Sequence, residues 1–506
     1  MTTSRRQFLR GAAQGLGLLT VSSTFPRWLG SAQAASNNGY EGSRAAVCVF
    51  LLGGCDTNNV LVPLQGSPYA QYRTARPTLG LPLNKLLTLN PQGLPAGAYG
   101  LHESLPQVRK HFNEGRAAFV CNVGPLVRPT DQAKYHSTTW GYLPDGLFSH
   151  ADQQDAWASA VANPSKVSET QLKLTGWGGR TADQLHGLNT VSNNYPEVTS
   201  FGGKARFCAG LTRQPMMVAS DGGLAFKTTG DEGFDTLRKA GLEEVMAVQD
   251  GNLLETAYGT VFSTAQLFAI DRMNAREAAW SALSPTTSAA IDQLFQGAQP
   301  GWVLATQLYQ VVRDLVAGAF ARTQGGLGLK RQLFSVGLGG FDTHQNQLET
   351  QKALLAQLDF SLDAFQRAMV LLEADPVFGQ TPPQATLFTM SDFSRTLVEN
   401  SAGGTDHGWG GHALVLGSRV AGGKLYGTFP SLDLASGTNP DTTDEKGRWI
   451  PTTCVEQYGY TLASWLGLAT TAERDAVFPN LAPYIAASAG FPPQAQLEKL
   501  DFMKPG

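Results

Sequence analysis

The chain has 506 residues, of which 42% are hydrophobic, and this is enough apolar material for one large domain or two ordinary ones. Its formal net charge of −3 argues against a nucleic-acid partner or an anionic membrane surface. None of the five cysteines forms a C-x-x-C pair, which argues against a cysteine zinc site, and their odd number leaves at least one thiol free.

The N-terminus predicts an export signal. Residues 4–10 (SRRQFLR) carry a twin-arginine pattern, residues 11–21 are weakly apolar, and AQA at 32–34 has the small residues of a cleavage site. We therefore expect a twin-arginine signal at 1–34, the translocase as a partner during export, and a periplasmic or secreted mature chain. The apolar stretch is too short and glycine-rich for a stable membrane anchor. The alternative is a chance arginine pair.

Short apolar runs predict strands that are buried on both faces, as in parallel sheets. In chain order they lie at 45–52 (AAVCVFLL), 117–123 (AAFVCNV), 331–338 (RQLFSVGL), 385–390 (ATLFTM) and 412–416 (HALVL). Apolar residues at helical spacing predict helices near 105–114, 302–322 and 347–374.

Strands that alternate with long helices predict an α/β fold, a three-layer sandwich with a mainly parallel central sheet, over residues 35–506. Residues 190–300 show the least regular pattern, and we expect an insertion or a cap there.

Polar side chains follow three of the predicted strands directly, in GGCD at 53–56, GGFDTH at 339–344 and SDFSR at 391–395. Ligands of such sheets bind beyond the carboxyl ends of the strands, so these side chains are expected on one rim. A further loop, DHGWGGH at 406–412, adds imidazoles and a carboxylate. The predicted metal ligands are Asp56, Asp342, His344, Asp392, Asp406, His407 and His412.

Imidazoles combined with carboxylates suit a divalent metal, zinc first, with manganese or calcium as alternatives. Two such ions about 4 Å apart would stabilise both the attacking and the leaving oxygen of an in-line displacement.

These motifs, together with SHADQQDAW at 149–157 and GWGGR at 176–180, resemble the bacterial family called domain of unknown function 1501 over nearly the whole mature chain. That family is similar to the alkaline phosphatase and sulfatase superfamily. The resemblance implies an alkaline-phosphatase-like fold and an exported, metal-dependent hydrolase whose substrate is a small phosphate or sulfate ester.

The resemblance also implies roles for single residues. Asp56 matches the first metal carboxylate, Asp342 and His344 match a ligand pair on one metal, and His412 matches the last imidazole. Asp406 and His407 resemble the Asp-His-Gly ligand element of the superfamily. Ser149 is the candidate nucleophile, and Arg395 or Arg180 would hold the anionic group.

The sequence departs from the superfamily pattern in several places. The D-x-H spacing at 342–344 is tighter than usual, and Asp406 comes 14 residues after the strand end, so Asp392 is an alternative for its role. The C/S-x-P-S-R motif of sulfatases was not found, which argues against formylglycine chemistry. Rival nucleophiles are Thr57, Thr138 and Thr139.

Each candidate also has a structural interpretation. Asp56 would cap a helix, the 342–344 motif would form an Asx-turn, and Asp406 would lie in an ordinary loop. Ser149 would be a helix N-cap, and Arg395 would pair with an acidic residue four positions later. The alternative function is therefore a binding or assembly protein of the cell envelope that has lost or altered its chemistry.

Overall fold

The computed structural model describes residues 42–166, 170–189, 195–203, 205–222, 253–435 and 439–505, with single positions 236, 237, 240, 241, 244 and 437. The predicted signal at 1–34 and part of the predicted insertion lie outside these residues. No helix of the described part is long and apolar enough to cross a membrane.

The strands of the described residues form one large and one small sheet. Their bounds are β1 Arg44–Leu51, β2 Leu61–Pro63, β3 Leu86–Thr88, β4 Tyr99–His102, β5 Ala117–Gly124, β6 Val198–Ser200, β7 Met216–Met217, β8 Arg331–Leu338, β9 Gln384–Ser391, β10 Gly411–Leu416, β11 Leu425–Gly427 and β12 Thr453–Cys454.

The large sheet has the strand order β11-β5-β10-β9-β1-β8-β6-β7, with β12 also paired to β5. The central strand β1 pairs in parallel with β8 and β9, so that Val47 lies between Phe334 and Leu387. Only β10 runs antiparallel among these described strands, against β5 and β9. The prediction of a mainly parallel central sheet is confirmed. The small sheet, β2-β4-β3, is antiparallel.

The helices of the described residues surround the large sheet. Their bounds are α1 Gly66–Ala75, α2 Pro106–Asn113, α3 Gln132–Tyr135, α4 His150–Ser159, α5 Thr170–Leu174, α6 Trp177–Leu185, α7 Leu253–Ala282, α8 Pro285–Gln296, α9 Val303–Ala319, α10 Gln347–Ala374, α11 Val455–Leu466, α12 Thr471–Val477 and α13 Leu481–Ala486.

Burial of both sheet faces explains why β1 is a continuous apolar run. Ala45, Val47 and Val49 pack into one hydrophobic core with side chains of α7 to α10. Ala46 and Cys48 point to the opposite face, where α4, α6 and α11 to α13 contribute the second core. The mixed α/β architecture with helices on both sides of the sheet is therefore confirmed. All five cysteines are buried and free.

Candidate functional site

Two glycines after β1 allow the strand-end loops to approach each other closely. Gly53 and Gly54 have φ values of +109° and +82°, which other residues rarely adopt. A Cβ atom on Gly53 would lie 2.5 Å from the backbone nitrogen of Asp342, and one on Gly54 would collide with the Phe393 ring. Glycine is therefore required for the loops after β1, β8 and β9 to pack together.

Four side chains from three parts of the chain meet at this rim, and we call them the His-Asp cluster: His150, Asp342, His344 and His407. The Nε2 atom of His344 lies 3.0 Å from Nε2 of His407 and 3.1 Å from Oδ1 of Asp342. The Nε2 atom of His407 is 3.4 Å from the same oxygen, and that of His150 is 3.5 Å from the other oxygen, Oδ2. The cluster is open to solvent on one side, since the side chains of Asp342 and His344 are 48% and 47% exposed.

The other ring nitrogen of each histidine faces an oxygen acceptor. His407 Nδ1 lies 2.7 Å from the carbonyl oxygen of Phe148, which can only accept, so Nδ1 carries the hydrogen and Nε2 keeps its lone pair. His150 Nδ1 lies 2.6 Å from Oδ2 of the buried Asp392. His344 Nδ1 lies 3.6 Å from Oδ1 of Asp406. All three Nε2 atoms therefore point towards Asp342, and that of His150 is buried with no hydrogen-bond partner.

Three of these side chains are placed so that they could hold a divalent metal. Ligand bonds of 2.0–2.1 Å in a tetrahedral zinc site separate neighbouring ligand atoms by about 3.3 Å, and four of the six residue pairs of the cluster have ligand atoms 3.0 to 3.5 Å apart. Ligand atoms of His150, Asp342 and His407 all lie within 4.8 Å of one another; His344 is not part of this set, although its Nε2 lies next to His407 and Asp342. An Nδ1 atom bonded to a carboxylate or carbonyl oxygen, as in His150 and His407, is typical of histidines that bind metals.

Arg395 orients the carboxylate of the cluster. Its buried guanidinium donates from Nη1 to Oδ1 of Asp342 at 2.9 Å and from Nη2 to the carbonyl oxygen of Thr405 at 2.5 Å. Partial burial acts to raise the pKa of Asp342, but the hydrogen bond and charge of Arg395, helped by His344 and His150, lower it below its usual value. Arg395 therefore acts on the site through Asp342.

Burial also acts on His407. It lowers the pKa of the imidazole, and the positive charges of Arg395 and His150 work in the same direction, against the hydrogen bond to Phe148. The neutral ring that a metal requires is therefore favoured.

Two predicted ligands lie outside the cluster. Both oxygens of Asp56 are bound by the buried Arg76, at 2.5 and 2.9 Å, and Gln347 donates to one of them. His412 is buried on β10, where burial lowers its pKa to about 3, and its Nδ1 accepts from the backbone nitrogen of Asn122 at 3.2 Å. Neither side chain hydrogen bonds or forms an ion pair with the described cluster residues.

The two other predicted carboxylates contact histidines of the cluster. Asp392 accepts hydrogen bonds from His150, from Gln154 Nε2 at 2.9 Å and from the backbone nitrogen of Gly53 at 3.2 Å. Asp406 faces His344 and accepts a longer hydrogen bond, 3.4 Å, from Asn400.

The candidate nucleophile Ser149 is the residue before α4, and its side chain makes no capping hydrogen bond to the helix. It precedes His150 directly. The rival Thr57 is buried, and its hydroxyl lies 2.8 Å from that of Ser394 and accepts from the backbone nitrogen of His412. Thr138 and Thr139 are exposed in the loop before α4.

The other candidate for binding an anionic group, Arg180, is 1% exposed on α6. Its guanidinium donates to carbonyl oxygens of Thr175, Ser159 and Val477. Those hydrogen bonds join α6 to neighbouring segments and leave the side chain away from solvent.

Sequence reasoning missed His150 as a member of the cluster. The SHADQQDAW motif contains His150, but the resemblance assigned a role only to its serine. His150 and Gln154 lie four residues apart on α4, so both side chains face the same way and contact Asp392. Arg76 was also missed, since nothing near it in the sequence connects it to Asp56.

The family model described as "Protein of unknown function (DUF1501)" matches residues 326–445, which supports the family resemblance. That segment contains Asp342, His344, Asp392, Arg395, Asp406, His407 and His412. No curated protein and no solved structure matches the chain.

Proposed function

We propose that the mature chain is a metal-dependent hydrolase of phosphate or sulfate esters, exported by the twin-arginine route, with an alkaline-phosphatase-like form of the α/β fold. One observation carries the proposal: three imidazole Nε2 atoms converge on Asp342 while their Nδ1 atoms face oxygen acceptors. The ester class rests on the family resemblance.

The metal would be held by His150, Asp342, His344 and His407, and zinc suits this donor set best, with manganese or calcium as alternatives. A divalent ion bound there would supply Lewis acidity for the cleavage of an ester. Asp392 holds the ring of His150 in place. Arg395 fixes the carboxylate of Asp342, and the exposed side of the cluster gives a ligand access. Ser149 is the candidate nucleophile on the adjacent turn.

A binding or assembly protein of the cell envelope is the second candidate function. The surroundings of Arg395 and Arg180 favour this function. Both guanidinium groups are buried and hydrogen bonded to protein oxygens, so neither is open to a substrate anion. In that case the metal would stabilise the rim without turnover.

Turnover assays separate the two functions. The purified mature chain, loaded with zinc, manganese or calcium, is assayed on an aryl phosphate and an aryl sulfate with and without a chelator. The hydrolase requires that the chelator abolish turnover and that Asp342→Ala and His407→Ala lower it by about a hundredfold or more. His136→Ala, a histidine bonded to Thr443 outside the cluster, serves as the control. Bound metal without turnover of either ester would support the binding protein.

A further inference from the structure

The surroundings of the His-Asp cluster are rich in negative charge. Asp342, Asp392 and Asp406 all contact its histidines. Asp392 is buried, but the side chains of Asp342 and Asp406 are 48% and 40% exposed on the open side of the cluster. A ligand that approaches from solvent therefore meets two carboxylates.

The positive charges at the cluster are not directed at such a ligand. The side chain of Arg395 is fully buried, with Nη1 on Asp342 and both Nε and Nη2 on Thr405. Arg448 donates from Nε to the carbonyl oxygen of His407 at 2.8 Å and pairs through Nη1 with Asp444. Among the described residues, Arg395 and Arg448 are the two arginine or lysine side chains that hydrogen bond to the His-Asp cluster, to Asp392 or to Asp406.

The charges give a simple balance. When the imidazoles are neutral, Asp342, Asp392, Asp406 and Arg395 together carry a net charge of −2. Arg448 and Asp444 form an ion pair and do not change this charge. A divalent ion would bring this to zero and leave no excess positive charge to offset a doubly charged substrate. The carboxylate of Asp406 would repel each additional negative charge on the substrate. Nearby solvent weakens this repulsion but does not remove it.

We infer that the reacting group of the substrate carries a single negative charge, as in a sulfate ester or a phosphodiester, and that dianionic phosphate monoesters are poor substrates. This inference rests on the proposed function, since it concerns the ester that the same metal site would hydrolyse. Sulfate esters and phosphodiesters share a tetrahedral centre with one ionised oxygen. The neutral metal-loaded site would accommodate this group without a separate arginine to bind the anion.

The test compares three esters with one aryl leaving group on the zinc-loaded mature chain: an aryl sulfate, a methyl aryl phosphate and an aryl phosphate. At pH 8 the last is a dianion, because its second pKa is about 6. Wild-type kcat/KM is expected to be at least about tenfold higher for one of the monoanionic esters than for the dianion. The ester that is turned over identifies sulfate or phosphodiester as the source of the monoanion.

A charge-removing variant tests the physical cause. Asp406→Asn keeps the shape of the side chain and removes one exposed negative charge. It is expected to raise kcat/KM for the dianion about threefold to tenfold relative to the monoanions, and to lower the Kd of inorganic phosphate, measured by calorimetry without turnover, by a similar factor. Asp152→Asn, an exposed carboxylate in the first turn of α4, should leave the ratio unchanged.

A failure of the charge inference can be told apart from a failure of the proposed function. Faster turnover of the dianion than of both monoanions by the wild type would overturn the inference and leave the hydrolase standing, and so would an Asp406→Asn ratio equal to that of Asp152→Asn. No turnover of any of the three esters by the metal-loaded chain would overturn the proposed function itself.

Discussion

Asp392 is the residue on which the orientation of His150 depends. Its carboxylate is buried at the end of β9 and receives the Nδ1 atom of His150 at 2.6 Å, which leaves Nε2 facing the cluster. Carboxylates that bond a ligating histidine in this way fix its tautomer and ring position and raise its basicity as a ligand.

Replacing this carboxylate by an amide should weaken metal binding with the fold retained. In Asp392→Asn the amide can donate to Nδ1, which would place the hydrogen on Nε2 and remove its lone pair from the metal. We expect zinc affinity, measured by competition with a chromophoric chelator, to fall about tenfold to a hundredfold. The cobalt-loaded variant should also show a changed visible absorption spectrum.

Gln154→Ala is the matched control, since it removes the other side-chain hydrogen bond to the same Asp392 oxygen without touching His150. Equal zinc affinities for Asp392→Asn and the wild type would show that Asp392 plays no part in orienting the ligand.

At the scale of residues, the sequence indicates which side chains follow the strands but not what each one contacts. Asp342, His344 and His407 were expected on one rim, and the structure brings them together. Asp56 follows its strand in the same way, yet Arg76 folds back from the end of α1 and takes both of its oxygens. Such pairing depends on tertiary packing, which no local spacing reveals.

The turn after β1 controls the position of Asp342 at the scale of elements. Gly53 packs directly against the backbone of the loop after β8, with no room for a Cβ atom. The turn therefore couples the ends of two neighbouring parallel strands and sets where the carboxylate of the cluster lies.

A methyl group at Gly53 should disturb both stability and the site. Gly53→Ala combines a positive φ with a collision against the backbone nitrogen of Asp342. We expect a loss of about 1–3 kcal/mol in the free energy of unfolding, together with weaker zinc binding, from chemical denaturation and chelator competition.

Gly339→Ala provides the comparison, because a Cβ atom there meets nothing within 4 Å although the residue lies in the same loop as Asp342. If both variants were as stable as the wild type and bound zinc equally, the turn would not position the site.

Elements buried on both faces were the easiest to predict. The apolar runs at 331–338 and 347–374 coincide with β8 and α10. The helix α7 was not predicted, because its apolar residues do not keep to one face: Leu267, Ile270 and Met273 are more than half exposed. The antiparallel direction of β10 also escaped prediction, since the run HALVL gives no sign of strand direction.

The stability of the whole molecule should depend on Glu456, which is buried in the first turn of α11. Burial raises the pKa of its carboxyl to about 7, despite hydrogen bonds from its surroundings that include Asn480 Nδ2 at 3.1 Å. Between pH 4.5 and about 7, the folded chain therefore keeps a proton on Glu456 that the unfolded chain has released. Stability contributed by this group is complete below that pH and falls as the pH rises to about 7.

Glu456→Gln should remove this pH dependence. Relative to the wild type, the variant is expected to gain on the order of 3 kcal/mol in the free energy of unfolding between pH 4.5 and 7. Urea denaturation across that range measures the gain, and Glu498→Gln, at an exposed carboxylate paired with Arg474, controls for the loss of a charge. If the free energies of unfolding of Glu456→Gln and the wild type differed by the same amount at all pH values, the raised pKa of Glu456 would be refuted.

The account as a whole depends on one divalent ion bound by His150, Asp342, His344 and His407. Anomalous diffraction at the zinc edge from crystals of the zinc-loaded mature chain tests it most directly. We predict a single peak within coordination distance of the three Nε2 atoms and an Asp342 carboxylate oxygen. A map without a peak at these atoms, or with one at Asp56 or His412 instead, would contradict it.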